Sequence, residues 1–367
     1  MTRVAREHDA INLAQGFPDF PAPQLLKDAA CAAIQADENQ YAITWGTPRL
    51  RQALSRKYAE SYGMEVDPER ELTVTCGATE AMVAVLLAVV DPGDEVIVLE
   101  PFYENYAPDA MIAGAKAVMV PLEPPDFPLD LERLGAAFSE RTRAIVLNTP
   151  NNPTGRVFTR AELEGVAELC QRWDALAITD EIYEYILYEG EHIPMATLPG
   201  MRERTITISG LSKTFAVTGW RIGSIVSPPA ISPAVRKVHD FLTVGAPAPL
   251  QEACAVGLES LGPDYYAEMV SGYRARRDAF VPALRAAGFR CSVPQGAYYV
   301  LADFSGLSDE DDDTFARRLT REAGVAPVPG SSFFSDPAMG RSLVRFAFCK
   351  RLETLVQAGE RLARFEP

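Results

Sequence analysis

The sequence predicts an α/β fold: a mainly parallel sheet flanked by helices, followed by a smaller α+β unit. Three observations carry this expectation. The chain has 367 residues, 47% hydrophobic and 23% charged, which is enough apolar material for two lobes around a cleft and ordinary globular composition. From Leu72 onward short apolar runs alternate with longer amphipathic stretches, the pattern of strands joined by crossover helices. Beyond Ser232 that alternation gives way to long helical stretches, then to short strands between helices.

In chain order the first strands are LTVT (72–75), EVIVLE (95–100), KAVMVPL (116–122), RAIVLN (143–148), ALAIT (175–179) and RTITIS (204–209). Helices are expected between them at 79–90, 107–113 and 160–173. There the parallel pattern stops. Helices follow at 232–244, 249–260 and 265–287, then strands near 297–303, 325–328 and 343–348 with helices at 314–323 and 351–364. The turn-rich stretch 245–249 marks a boundary, giving an N-terminal arm (1–30) that packs with the small domain, a large domain (31–245) and a small C-terminal domain (246–367). Residues 121–128 read as a proline-rich loop rather than a linker.

Charge and rare residues exclude several functions. Fifty Asp and Glu against 35 Lys and Arg give a net charge of −15, the wrong sign for a nucleic-acid surface. The acidic run 309–313 precedes a helical pattern, so it reads as a helix start and not as a metal site. Six cysteines lie far apart with no C-x-x-C pair, and the sequence opens without an apolar signal segment, so reduced thiols in a cytoplasm are expected. The three histidines have no ligand spacing, so no metal is expected, and no apolar run is long enough to span a bilayer.

Open α/β sheets bind ligands beyond the carboxyl ends of their strands, so the residues after each run are the candidates. After LTVT, the segment Cys76-Gly77-Ala78-Thr79-Glu80 opens a helix whose N–H groups and hydroxyl could seat a phosphate. After RAIVLN comes a rigid polar loop in which Asn152 precedes a proline. After ALAIT stands Asp180, with Tyr183 close behind. After RTITI comes Ser209-Gly210-Leu211-Ser212-Lys213, and Arg221 follows eight residues after the lysine. Singly, these are a turn, a cap and a surface lysine; together they point to chemistry.

The motifs in order are INLAQGFPDFPAP (11–23), NQYAITWGTPRLRQAL (39–54), VTCGATEA (74–81), DPGDEVIVLEPFYENY (91–106), LNTPNNPTG (147–155), TDEIYEY (179–185), SGLSKTFAVTGWRIG (209–223), PQGAYYVLADFS (294–305) and VRFAFCK (344–350). This set resembles the fold-type I pyridoxal-phosphate aminotransferases of class I/II, within them the group of kynurenine, glutamine-phenylpyruvate and methionine transaminases. The resemblance covers nearly the whole chain and implies pyridoxal 5'-phosphate as cofactor.

It also implies a role for each matching residue. Lys213 would hold the cofactor as a Schiff base and then act as the proton-transferring base. Asp180 would face the ring nitrogen, because a carboxylate favours its protonated form. Asn152 and Tyr183 would hydrogen-bond the ring's phenolic oxygen, and Tyr103 would stack on its face. The phosphate would lie against Gly77, Ala78, Thr79, Arg221 and Tyr41 of the neighbouring subunit. Some relatives carry serine three residues before the lysine; here Gly210 stands there, with Ser209 beside it as the candidate. Arg345 would grip the substrate α-carboxylate in a bidentate fork, with Gly16, Phe17 and Phe333 shaping the pocket. Relatives carry more residues ahead of the INLAQG stretch, including a helix whose aromatic can line the pocket, so either a truncated start or a more open pocket is expected.

The implied reaction is a ping-pong exchange of an amino group between an L-amino acid and a 2-oxo acid. No second arginine is tied to a motif for a side-chain carboxylate, so aromatic, methionine, glutamine or kynurenine-like donors are favoured over aspartate, with Arg274 and Arg276 as unplaced alternatives. Alternatives on the same residues are a cysteine-S-conjugate β-lyase and an N-succinyl-diaminopimelate or aspartate-type aminotransferase. The non-enzyme alternative is an aminotransferase-like effector sensor. Tyr41 acting across an interface implies a homodimer with shared active sites, and the partners are amino acids and oxo acids, with no nucleic acid or membrane.

Overall fold

The computed structural model describes residues 1–366. Its strands are β1 (Ile11–Asn12), β2 (Leu72–Thr75), β3 (Glu95–Glu100), β4 (Lys116–Pro121), β5 (Thr142–Asn148), β6 (Leu176–Asp180), β7 (Thr205–Gly210), β8 (Gly223–Val226), β9 (Tyr299–Asp303), β10 (Val325–Ala326), β11 (Val328–Pro329) and β12 (Leu343–Ala347). A seven-stranded sheet has the order β2-β8-β7-β6-β5-β3-β4. Neighbours from β7 to β4 are parallel, whereas β8 is antiparallel to both β7 and β2. The sheet is therefore mixed at one side, and β8 is a strand that the sequence reading did not place. Its short sequence Gly-Ser-Ile-Val gave no apolar run to read.

Two reversals leave β2 parallel to β7. The carboxyl ends of β2, β3, β5, β6 and β7 thus lie along one sheet edge, and β8 starts there. Helices cover both faces, which is why β3 and β6 are buried throughout and read as unbroken apolar runs. On one face Ile97, Ile145 and Ala177 pack on Leu163, Val166 and Leu169 of the helix Arg160–Trp173. On the other, Val98, Val146 and Ile178 pack on Met82, Val85 and Leu86 of the helix Ala78–Val89. A capping box between Thr159 and Glu162 starts the helix Arg160–Trp173, and Asp174 at φ 50° ends it.

The second sheet is antiparallel, in the order β11-β12-β9. Phe280, Phe304, Phe315, Phe346 and Leu355 form its core with the helices Pro263–Ala286, Asp312–Glu322 and Leu352–Leu362. The acidic run does start a helix: Asp311 accepts from the Thr314 N–H, and Asp312 and Asp313 fill the first turn. β1 pairs with β10, and the helix Thr2–Glu7 lies on the helix Asp312–Glu322. The segment before Ile11 is thus folded against the second sheet's layer. The helix Ala248–Ser260 packs instead on Gln24–Gln35 and Pro48–Tyr62. Among the described residues no helix is long and apolar enough to cross a membrane.

Candidate active site

The shared strand edge opens on a cavity of about 670 Å³. Ala78 and Thr79 reach it from the end of β2, Asn152 from β5, Asp180 from β6, and Lys213 from the short helix that follows β7. Tyr103 enters after β3, Arg221 just before β8, and Arg345 from β12 of the second sheet. Residues far apart in sequence converge because parallel strands deliver their carboxyl ends to one place.

Lys213 opens on this cavity and is otherwise enclosed. Its Nζ donates to the Gly16 carbonyl oxygen at 3.2 Å and lies 5.9 and 5.7 Å from the ring centroids of Tyr183 and Tyr298. Burial drives its acidity, taking the amine down to about 8, with Arg221 and Arg345 adding to that and Cys349 and Asp180 opposing it. An amine near that value exchanges protons readily at neutral pH.

Asp180 is buried at the end of β6. Its Oδ2 accepts from the Tyr106 hydroxyl at 2.7 Å and its Oδ1 from the Ile182 N–H at 3.2 Å. Burial pushes its carboxyl up, and the Tyr106 and Ile182 hydrogen bonds and Lys213 pull the other way. A buried acid whose hydrogen-bond donors are neutral is suited to a cation supplied by a ligand. Asn148 locks the spot by donating to the Asp180 carbonyl oxygen at 2.8 Å and accepting from the Asn152 N–H at 2.7 Å.

Arg345 is sandwiched between the Tyr299 and Phe333 rings, 4.5 and 4.8 Å from their centroids. Its Nη1 donates to Asn152 Oδ1 and its Nη2 to the Ala14 carbonyl oxygen, both at 2.8 Å, while its buried Nε has no partner. The Tyr183 hydroxyl lies 3.0 Å from that of Tyr299. Burial, followed by Tyr299, holds the Tyr183 phenol well above its ordinary range.

Gly77 (φ 86°) passes so close to the Arg221 guanidinium that a methyl group there would collide with it. It thereby brings Arg221 to the start of the helix Ala78–Val89, whose first N–H groups have no intrahelical acceptor. Gly16 is equally tight: a side chain would strike the Tyr299 hydroxyl, and its carbonyl oxygen also accepts from Tyr298 at 3.0 Å. Phe17 lines the mouth, 40% exposed.

Two expected site residues lie elsewhere. Ser209 points to the other side of β7 and donates to Glu184 Oε1 at 2.7 Å, and Ser212 lines the cavity instead. Phe333 is fully buried, backing Arg345 rather than facing substrate. Tyr41, expected at the neighbouring subunit's site, is 88% exposed and does not line its own chain's cavity. Sequence reasoning missed Tyr106, Tyr299, Asp313 and Arg317. Tyr106 follows Tyr103 by three residues at a helix start, the spacing that puts both on one side. Tyr299 sits in the 294–305 motif without a role of its own, Asp313 read as part of a helix start, and Arg317 carried no signal beyond an ordinary helix position.

These residues fit pyridoxal phosphate. A lysine without a paired carboxylate, an enclosed acid without a cation, an unpartnered guanidinium Nε, and a helix start beside Arg221 are complementary to its aldehyde, ring nitrogen, substrate carboxylate and phosphate.

The chain matches the family profile for "Aminotransferase class I and II" over residues 8–362. It is 39% identical to the methionine aminotransferase of Escherichia coli K12 and 38% identical to human kynurenine–oxoglutarate transaminase 1, each match covering 99% of this chain and 94% of the relative. Its fold superposes on N-succinyldiaminopimelate aminotransferase from Mycobacterium tuberculosis with a TM-score of 0.96 at 40% identity, covering 99% and 95% of the two chains. The chain belongs to the class I and II aminotransferases, fold-type I enzymes that depend on pyridoxal phosphate.

Proposed function

We propose that this aminotransferase takes its amino group from an L-amino acid with an uncharged thioether, amide or aromatic side chain, kynurenine-like donors included, and passes it to a 2-oxo acid by a ping-pong mechanism. The observation that carries this reading is the cavity itself, where Lys213 and Arg345 face one space beside the apolar surface of Phe17, Val328 and Pro329. Bound pyridoxal phosphate supplies an electron sink and a temporary seat for the amino group. Lys213 anchors it and, as a free amine, removes and returns the proton at the substrate Cα. Asp180 holds the ring nitrogen, Tyr183 and Asn152 face the phenolic oxygen, Tyr103 covers the ring, and Ala78, Thr79 and Arg221 bind phosphate. Arg345 orients the substrate through its α-carboxylate, with Gly16 giving close backbone approach.

The same reading makes the enzyme a homodimer with Tyr41 reaching the partner's phosphate site. Supporting this, the 41–45 segment lies against 239–245 through a His239 Nε2 to Thr44 carbonyl contact of 2.8 Å, and Tyr41 (88%) and Phe241 (90%) are both strongly exposed. The arm, large and small domains divide near 30 and 245, although the packing of Ala248–Ser260 favours assigning that helix to the large domain. A cytoplasmic location is in keeping with six unpaired cysteines.

A screen of purified enzyme with each amino acid against several 2-oxo acids tests the reading. Methionine, phenylalanine, tyrosine, kynurenine and glutamine should lead; activity confined to aspartate, or pyruvate and ammonia release from cysteine conjugates as the dominant reaction, would overturn it.

A further inference from the structure

We infer that Arg317 recognises a second, distal carboxylate on one of the two substrates, and that Asp313 is the counter-ion that neutralises it when an uncharged side chain is bound. The inference rests on the aminotransferase reading and adds to it the class of acceptor: a 2-oxo acid with a carboxylate at the end of its side chain.

Four cationic side chains line the cavity among the described residues: Lys213, Arg221, Arg317 and Arg345. Lys213 anchors the cofactor, Arg221 its phosphate and Arg345 the α-carboxylate, which leaves Arg317 without an assignment. Its Nε donates to Asp313 Oδ2 at 2.7 Å, one helical turn away. Among the described residues neither Nη atom has a protein acceptor, so the outer edge of the guanidinium is open to a carboxylate. Asp313 lines the same cavity, so the pair faces substrate space rather than only bulk solvent.

The position suits the far end of a substrate. The helix Asp312–Glu322 is pinned beside the Gly330–Phe333 turn by the Ser331 N–H, which donates to Asp312 Oδ2 at 2.6 Å. It packs against β11, and Val328 of β11 is the register partner of Arg345 on β12. Val328 and Pro329 therefore form the wall between the two arginines, and both line the cavity. A substrate gripped by Arg345 and extended along that wall meets Arg317 at its distal end.

Such an arrangement meets the problem of a ping-pong enzyme, whose single pocket receives two different side chains. With a neutral donor, Asp313 keeps Arg317 compensated, so no lone charge faces an apolar group. With a dicarboxylic acceptor, the outer nitrogens take the second carboxylate while Nε stays tethered, which holds the fork in place.

The test pairs phenylalanine as donor with either 2-oxoglutarate or 2-oxo-4-methylthiobutyrate as acceptor, and reads the ratio of their kcat/KM values. A charge-assisted fork should make Arg317→Gln lower the ratio about 10- to 100-fold against the dicarboxylate. Asp313→Asn should move the same ratio the opposite way, because an uncompensated Arg317 penalises the neutral acceptor. A ratio that shifts less than about threefold in Arg317→Gln, with transamination intact, overturns the assignment and leaves the aminotransferase reading standing. Absence of transamination in the wild-type holoenzyme with every donor and acceptor overturns both.

Discussion

The strands β6 and β7 separate two lysines in opposite circumstances. On the cavity side, Lys213 has a backbone carbonyl as its only hydrogen-bond acceptor among the described residues and an amine drawn down to about 8, first by burial. On the far side, Lys57 is buried against Glu184 in direct contact, over the Tyr58 ring at 3.9 Å. Glu184 also accepts from the Tyr62 hydroxyl at 2.6 Å and Ser209 at 2.7 Å. Burial alone would raise that acid, yet Lys57, His192 and the hydrogen bonds hold it below the ordinary carboxylate range. A satisfied ammonium is inert structure, and an unsatisfied amine facing a cavity is a reagent.

The largest expected difference between the two is in activity. Lys213→Met should lower kcat for transamination about 10³-fold or more, whereas Lys57→Met should leave kcat per folded molecule within about tenfold. Steady-state turnover of both variants checks it. Equal losses would erase the distinction.

Stability should respond in the reverse sense. Lys57→Met strands the Glu184 carboxylate in the protein interior, and should destabilise the fold by about 3–5 kcal/mol in urea titration. Adding Glu184→Gln removes the orphaned charge and should recover part of that loss. A single variant as stable as wild type would mean that Lys57 does not compensate Glu184.

Apo-enzyme carrying Lys213→Met should instead gain stability at pH 7. The native amine titrates near 8, against an ordinary value of 10.5, so below pH 8 the fold must hold a charge it disfavours. Between those values the unfolded chain binds more protons than the native one, and wild-type stability rises with pH. The variant's advantage should be about 3 kcal/mol at pH 7 and vanish near pH 10.5. A difference that does not depend on pH would refer the effect to packing instead.

The sequence made one lysine of this pair legible and not the other. Lys213 follows a strand and precedes Arg221 at a fixed interval, and Asp180 and Asn152 also sit at strand ends, where chain order and function coincide. Lys57 lies mid-helix in Pro48–Tyr62, and its partner Glu184 is 127 residues away, a pairing that only the fold creates. Ser209 illustrates the limit on side-chain direction: strand residues alternate faces, and this one turns to Glu184. β8 was missed because four residues hold too little pattern, although its reversal is what leaves Arg221 beside the helix start. Arg317 was invisible because an exposed i,i+4 ion pair on a helix looks the same whether or not a cavity lies beside it.

The smallest effect concerns how far the cavity side depends on groups beyond direct reach of the cofactor's reacting atoms. Tyr106 is buried, with its ring edge-on to Tyr103 at 5.8 Å, and among the described residues its hydroxyl is the only side-chain donor to Asp180. Tyr106→Phe keeps the ring and removes that hydrogen bond, leaving one backbone N–H to favour the carboxylate against burial. The weaker anion should hold a protonated ring nitrogen less firmly, raising the dissociation constant for pyridoxal phosphate about tenfold in absorbance titration of the apo-enzyme. The loss should grow as pH falls, because an Asp180 carboxyl pushed further up takes a proton at higher pH. If the variant binds cofactor as tightly as wild type at every pH, Ile182 alone suffices to keep Asp180 ionised, and the Tyr106 hydroxyl merely satisfies itself.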